Sequence, residues 1–206
     1  MTAQATDLDR VLAAIRSCRH CVETPSGTML PHDPRPVLRA SGTARLAVCS
    51  QAPGTRVHLS GKPFTDASGE RLRDWMGVSP EDFYDEGRVA IVPMGFCFPG
   101  QDAKGGDLPP RRECATLWHG KLFAALPQVE LVLAVGSYAQ RFHLGREGGA
   151  SLQETMLRWQ DCLARTAPRV LPLPHPSWRN NAWLKKNPWF ARELLPVLRR
   201  EVRALL

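Results

Sequence analysis

The chain has 206 residues, 43% of them hydrophobic, which is enough apolar material to bury a substantial core in one domain. No apolar run approaches the roughly 20 residues of a membrane span, and the N-terminal stretch MTAQATDLDRVLAAIRSC lacks a signal-peptide core, so a cytoplasmic protein is expected. A net charge of +7 suits polyanionic partners such as DNA or RNA, with simple solubility an equal alternative on charge alone, and six cysteines in such a chain argue for metal binding or core burial rather than a disulfide scaffold.

Residues 7–17 place Leu8, Val11, Leu12 and Ile15 on one face, which predicts a helix running into Cys18-Arg-His-Cys21. Residues 22–44 are rich in Gly and Pro and read as a long loop. Four short apolar runs follow: Arg45–Ser50, Arg88–Met94, Glu130–Gly136 and Arg169–Pro174. Helical patterns separate them, over Gly69–Met76, Arg111–Leu126, Ser137–Leu144 and Ser151–Asp161. Alternation of strands and helices predicts an α/β fold, with a parallel sheet covered on both faces. A last helix is expected to be capped by Asn187, to take Pro188 in its first turn, and to run from Trp189 to about Ala204. Phe190, Leu194, Val197 and Leu198 form its apolar stripe.

Ligands of such sheets bind outside the carboxyl ends of the strands. The segments to inspect are therefore 51–69, 95–110, 137–138 and 175–186. The first holds Gln51-Ala52-Pro53-Gly54, a turn whose N–H groups can meet an anion or a carbonyl oxygen. It also holds Phe64, a flat face on which a base can stack, and the carboxylate of Asp66. The plainer alternative is a loop in which Asp66 or Ser68 caps the next helix. In the last segment His175 follows a strand directly, and Ser177, Arg179, Asn180, Lys185 and Lys186 can donate to phosphates. Trp178 and Trp183 can stack or wedge into a duplex, or belong to the core; Trp189 reads as core. Cys18 and Cys21 form a C-x2-C pair, and Cys97 and Cys114 flank a Gly/Pro-rich loop. Thiolates so spaced suit zinc or an iron–sulfur cluster. Cys49 and Cys162 read as structural.

The order of these motifs resembles the uracil-DNA glycosylase superfamily, most closely its iron–sulfur-bearing branches. The resemblance covers roughly residues 10–200. It implies a three-layer α/β/α sandwich around a four-stranded parallel sheet. It implies a 4Fe-4S cluster, rather than zinc, on Cys18, Cys21, Cys97 and Cys114, although the second pair is one residue further apart than in the family pattern. Gln51, Ala52 and Gly54 would line the base site, Phe64 would stack on the extruded base, and His175 would hydrogen-bond its O2. Trp178 or Arg179 would fill the gap left in the DNA.

Two departures bear on the chemistry. Relatives often carry an acid in the first motif; here Ser50, Gln51 and Ala52 stand there, and Asp66 is the expected carboxylate. Relatives often read uracil with an Asn after the second strand; here Pro93 or Met94 occupies that place, so base choice is either relaxed or supplied by backbone groups. The resulting expectation is a monomeric, monofunctional glycosylase excising uracil or a related deaminated base from DNA. The alternatives are an iron–sulfur protein that binds abasic or single-stranded DNA without efficient chemistry, and an enzyme of free nucleotides or RNA.

Overall fold

The computed structural model describes residues 6–164 and 168–206. Four strands, β1 (Leu46–Cys49), β2 (Val89–Ile91), β3 (Leu131–Val135) and β4 (Arg169–Leu173), form one parallel sheet in the order β2-β1-β3-β4. Each is shorter than its apolar run, although single backbone bonds such as Val92 N–H to Val48 O carry on past the strand ends. The order reverses about β1: the chain leaves it for β2 on one side and returns to β3 on the other. That reversal opens a crevice at the carboxyl ends of the strands.

Alternation along the strands divides the core into two faces. One face presents Leu46, Val48, Val89, Ile91, Leu131, Leu133, Leu171 and Leu173. It is covered by the helices Ala67–Met76 and Leu195–Leu205, through Leu72, Trp75, Met76, Leu198 and Val202. The other face is built of smaller groups, Ala47, Cys49, Ala90, Val92, Val132, Ala134 and Val170. Asp7–Arg16, Arg112–Ala124 and Ser137–Leu144 pack there. The result is three layers, helix on sheet on helix. Cys49 and Cys162 are buried in the second core, in keeping with a structural role.

Several local expectations change. A short helix, His20–Glu23, overlaps the start of the long loop, and the loop's far end closes a sheet edge. Arg39 bridges antiparallel to Ile91, and Val37 N–H donates to Phe96 O at 2.7 Å, so the outer edge of β2 is paired rather than bare. Helices Thr55–Ser60 and Pro80–Tyr84 were not legible as such, being barely more than one turn each. The helix expected over Ser151–Asp161 is two, Leu152–Leu157 and Trp159–Leu163.

Asn187 does not cap the last helix. Its Oδ1 accepts from Trp189 Nε1 at 3.0 Å and from Gln153 Nε2 at 3.2 Å, so it ties the segment to a neighbour instead. The helix itself opens with a π-turn, Phe190–Leu194, before Leu195–Leu205 becomes regular. Pro196 explains the widening: it has no N–H to give the carbonyl four residues back, and its ring needs room there.

Candidate active site and cysteine cavity

The crevice holds a cavity of about 470 Å³, a size suited to a small ligand. Its lining draws on distant parts of the chain: Gln51 to Gly54, Phe64 and Asp66, Pro93, Asp107 and Leu108, His175, and Ser177 to Asn180. Backbone bonds continue beyond the strands and hold the first turn open. Met94 N–H donates to Ser50 O at 2.8 Å, and Gly95 N–H to Gln51 O at 3.0 Å.

Phe64 is 8% exposed and sits in the left-handed region at φ 54°, the one such non-glycine residue among those described. That conformation is costly for an aromatic residue, and the surroundings enforce it. The phenol of Tyr84 lies 2.9 Å from the carbonyl oxygens of both Pro63 and Phe64, and Arg73 Nη1 donates to Phe64 O at 3.1 Å. Phe83 meets the Phe64 ring edge-on at 5.8 Å. Gly69 is required because a Cβ there would collide with the Phe64 carbonyl. Asp66 does two things at once. Its Oδ1 accepts from Gly69 N–H at 3.1 Å, capping the helix Ala67–Met76, and its side chain lines the cavity. The capping and the cleft readings of this residue are therefore compatible.

His175 follows β4 and faces the cavity beside Gly136, whose φ of 83° admits a close approach; a Cβ at Gly136 would stand 3.4 Å from the His175 Cβ. Ser177 N–H donates to His175 Nδ1 at 3.2 Å, which assigns the proton to Nε2. Burial pushes the imidazole pKa down, Asp66 and Asp107 pull it up, and Arg179 again lowers it. The net direction is down, so the ring is a neutral N–H donor. Asn180 Nδ2 donates to His175 O at 2.7 Å and fixes the loop.

Trp178 stands 73% exposed at the lip, with the Arg179 guanidinium 5.9 Å from its ring centroid. Trp183 is not available for DNA: Nε1 donates to Gln153 Oε1 at 2.8 Å, and the ring packs against Trp189 and Phe190. Lys185 and Lys186 are exposed on Asn181–Lys186 but outside the cavity lining. Met94 must be corrected. Its side chain is buried in the second core, because alternation past β2 turns it away from the crevice, and Pro93 takes the lining position. Asp107 is a residue that the sequence reading missed. Its clue was a carboxylate after Gly105-Gly106, in a loop following a strand's carboxyl end.

A second, smaller cavity is lined by Cys18, Cys21, Cys97 and Cys114 together with Ile15, Phe96, Leu117 and Trp118. All four cysteines are free thiols. Burial pushes Cys97 and Cys114 up to about 12. Burial also raises Cys21, while Arg111 opposes it. Thiols so placed ionise only beside a cation, as a metal or cluster would provide. Phe96 N–H points at Cys114 Sγ at 3.4 Å, the kind of donor that supports a bound thiolate. Among the described residues, no group of three or more His, Cys, Asp or Glu converges on a single metal ion. His20 and Arg111 also reach the lining, but His20 Nδ1 is engaged by the Thr24 hydroxyl at 2.9 Å, so four sulfurs in a largely apolar surround are the donors, a set that fits a cluster.

A family model for the uracil DNA glycosylase superfamily matches residues 39–199, well over half of the chain. The chain belongs to the uracil-DNA glycosylase superfamily. Superfamily membership accounts for the architecture and assigns the general chemistry: glycosylase hydrolysis on DNA in base excision repair. The matched segment includes Gln51–Gly54, Phe64, Asp66 and His175, all of which line the crevice. The match begins after Cys18 and Cys21, so that half of the cysteine quartet lies outside it.

Proposed function

We propose that the chain is a monofunctional glycosylase that excises uracil, or a related deaminated base, flipped out of DNA. The observation that carries this reading is convergence on one cavity of a neutral histidine donor, a carboxylate and a strained, buried aromatic ring. A base inside a duplex is out of reach, so the target nucleotide is extruded and stacks on Phe64. Trp178 and Arg179 at the lip fill the vacated space, while Ser177, Asn180, Lys185 and Lys186 engage backbone phosphates.

Breaking the C1′–N bond sends its electron pair to the base. The His175 Nε2–H, with backbone groups of Gln51, Ala52 and Gly54, meets the negative charge developing at O2. Asp66 orients a water whose oxygen forms the new bond to C1′. The proton of that water passes by the carboxylate to the departing base nitrogen, which leaves a free base and an abasic sugar. With no amide at Pro93–Met94, the edge of the base is read by backbone groups, and other deaminated bases are admitted.

Cys18, Cys21, Cys97 and Cys114 would hold a 4Fe-4S cluster. Such a cluster would supply a rigid cross-link between the N-terminal segment and the 95–111 loop. The absence of an acid in Ser50-Gln51-Ala52 favours one second reading, a protein that binds abasic or single-stranded DNA without cutting it.

The deciding experiment incubates purified protein with uracil-containing single- and double-stranded oligonucleotides, then opens abasic sites with alkali. Strand breaks only where uracil stood support the enzyme. Tight binding without breaks supports the second reading.

A further inference from the structure

Asp107 is an exposed carboxylate presented to the cavity by a short hairpin, in which Gln101 and Asp107 form an antiparallel bridge. The hairpin is closed locally. Asp102 Oδ1 accepts from Lys104 N–H and Gly106 N–H, each at 2.8 Å, and Asp102 N–H donates to Gly106 O at 2.8 Å. Gly105, at φ 76°, makes the turn. One oxygen of Asp107, Oδ1, accepts from Gln101 Nε2 at 3.2 Å. The other, Oδ2, lies over the first turn: a Cβ on Gly54 would stand 3.1 Å from it. Gly54 thus leaves room for this carboxylate, and the charge of Asp107 is felt at His175.

A carboxylate at this place has a cost. The cleft must admit a polyanion, and a negative charge on its wall repels phosphates. Its benefit is realised where positive charge develops, and in this reaction that is the sugar as the C1′–N bond breaks. We propose that Asp107 is a second catalytic carboxylate, which stabilises the cationic sugar in the transition state alongside Asp66. The inference rests on the glycosylase reading above. Asp66 has an oxygen committed to its helix cap, whereas Asp107 Oδ2 is turned to the first motif, so the two carboxylates divide the work of aligning water and countering charge. Asp107 supplies the acid that Ser50-Gln51-Ala52 lacks, from a different strand's loop.

The test is single-turnover excision by Asp107→Asn and Asp107→Ala, on oligonucleotides carrying uracil or hypoxanthine, with affinity for abasic DNA measured in parallel. The hairpin is exposed, and an unchanged melting temperature checks that the fold is intact. The expected result is a fall in rate of roughly a hundredfold or more for every base the wild type removes, with abasic DNA bound as tightly as before or tighter. Added formate should restore part of the Asp107→Ala rate. An Asp107→Asn rate equal to wild type overturns the inference and leaves the glycosylase reading standing. A loss confined to one base also overturns it, because that pattern belongs to base recognition. A wild-type protein that excises no deaminated base overturns both.

Discussion

Phe64 shows how a single residue is prepared for its task. An aromatic side chain at φ 54° is not self-supporting, and Tyr84, Arg73 and the space left by Gly69 hold it there. Base–aromatic stacking is worth about 1–3 kcal/mol, so Phe64→Ala should slow excision roughly ten- to hundredfold. Tyr84→Phe removes the hydroxyl shared between the Pro63 and Phe64 carbonyls and approached by Arg73 Nη1, costs about 1–2 kcal/mol of stability, and should give a smaller loss of the same kind. Single-turnover rates of the two variants check this; if Tyr84→Phe excises at the wild-type rate, the phenol is not what holds the ring. His175→Ala and Asp66→Ala should each lower excision by about two orders of magnitude or more, with the melting temperature showing how much of the Asp66 effect is its helix cap. Wild-type excision by Asp66→Ala would remove Asp66 from the mechanism.

At the scale of elements, the 95–111 loop is the unit that matters. Cys97 stands near its start, Cys114 lies in the first turn of Arg112–Ala124 just beyond its end, and the Asp107 hairpin is carried between them. Anchoring both ends lowers the entropy of the hairpin and so narrows the positions that its carboxylate samples. Cys114→Ser should therefore lower iron and acid-labile sulfide below the roughly four of each expected per chain. It should also slow excision while leaving the circular dichroism of the sheet largely unchanged. Iron-free wild-type protein, or a Cys114→Ser variant with full iron, would displace the cluster from these residues. The last helix gives the matching lesson for local structure. Its apolar stripe was legible at 3.6-residue spacing, but Pro196 lies inside that stripe, and its missing N–H turns the preceding residues into a π-turn.

Across the whole molecule, the sheet turns mostly large side chains to one core and smaller ones to the other, and His119 is buried on the side of the smaller ones. It is 0% exposed, lies beside Phe96 and Phe123, and its Nε2 is 3.1 Å from Pro93 O. Desolvation pushes its pKa down from 6.5 to about 4, with backbone carbonyls opposing. A folded-state value below the unfolded one means that the unfolded chain binds the proton first. Stability is thus fully present above about pH 6.5 and is withdrawn as the pH falls toward 4. The loss attributable to His119 is about 2 kcal/mol between roughly pH 7 and pH 5. His119→Gln, which keeps a donor for Pro93 and removes the titration, should show a flatter dependence of melting temperature on pH; an equally steep one would shift the effect to other groups. What the sequence by itself determined were features carried by neighbours within a few residues: the four apolar runs, the amphipathic stripes, a helix cap at Asp66 or Ser68 as one of two readings, and a motif order specific enough to point to the superfamily. Tertiary structure decided the rest. Met94 turned inward, Trp183 was claimed by Gln153, and Asp107 came to rest over Gly54, far away in the chain. The reason is physical: periodicity and capping are local energies, whereas the meeting of two loops depends on how strand order, edge pairing and hairpin closure add up across the fold.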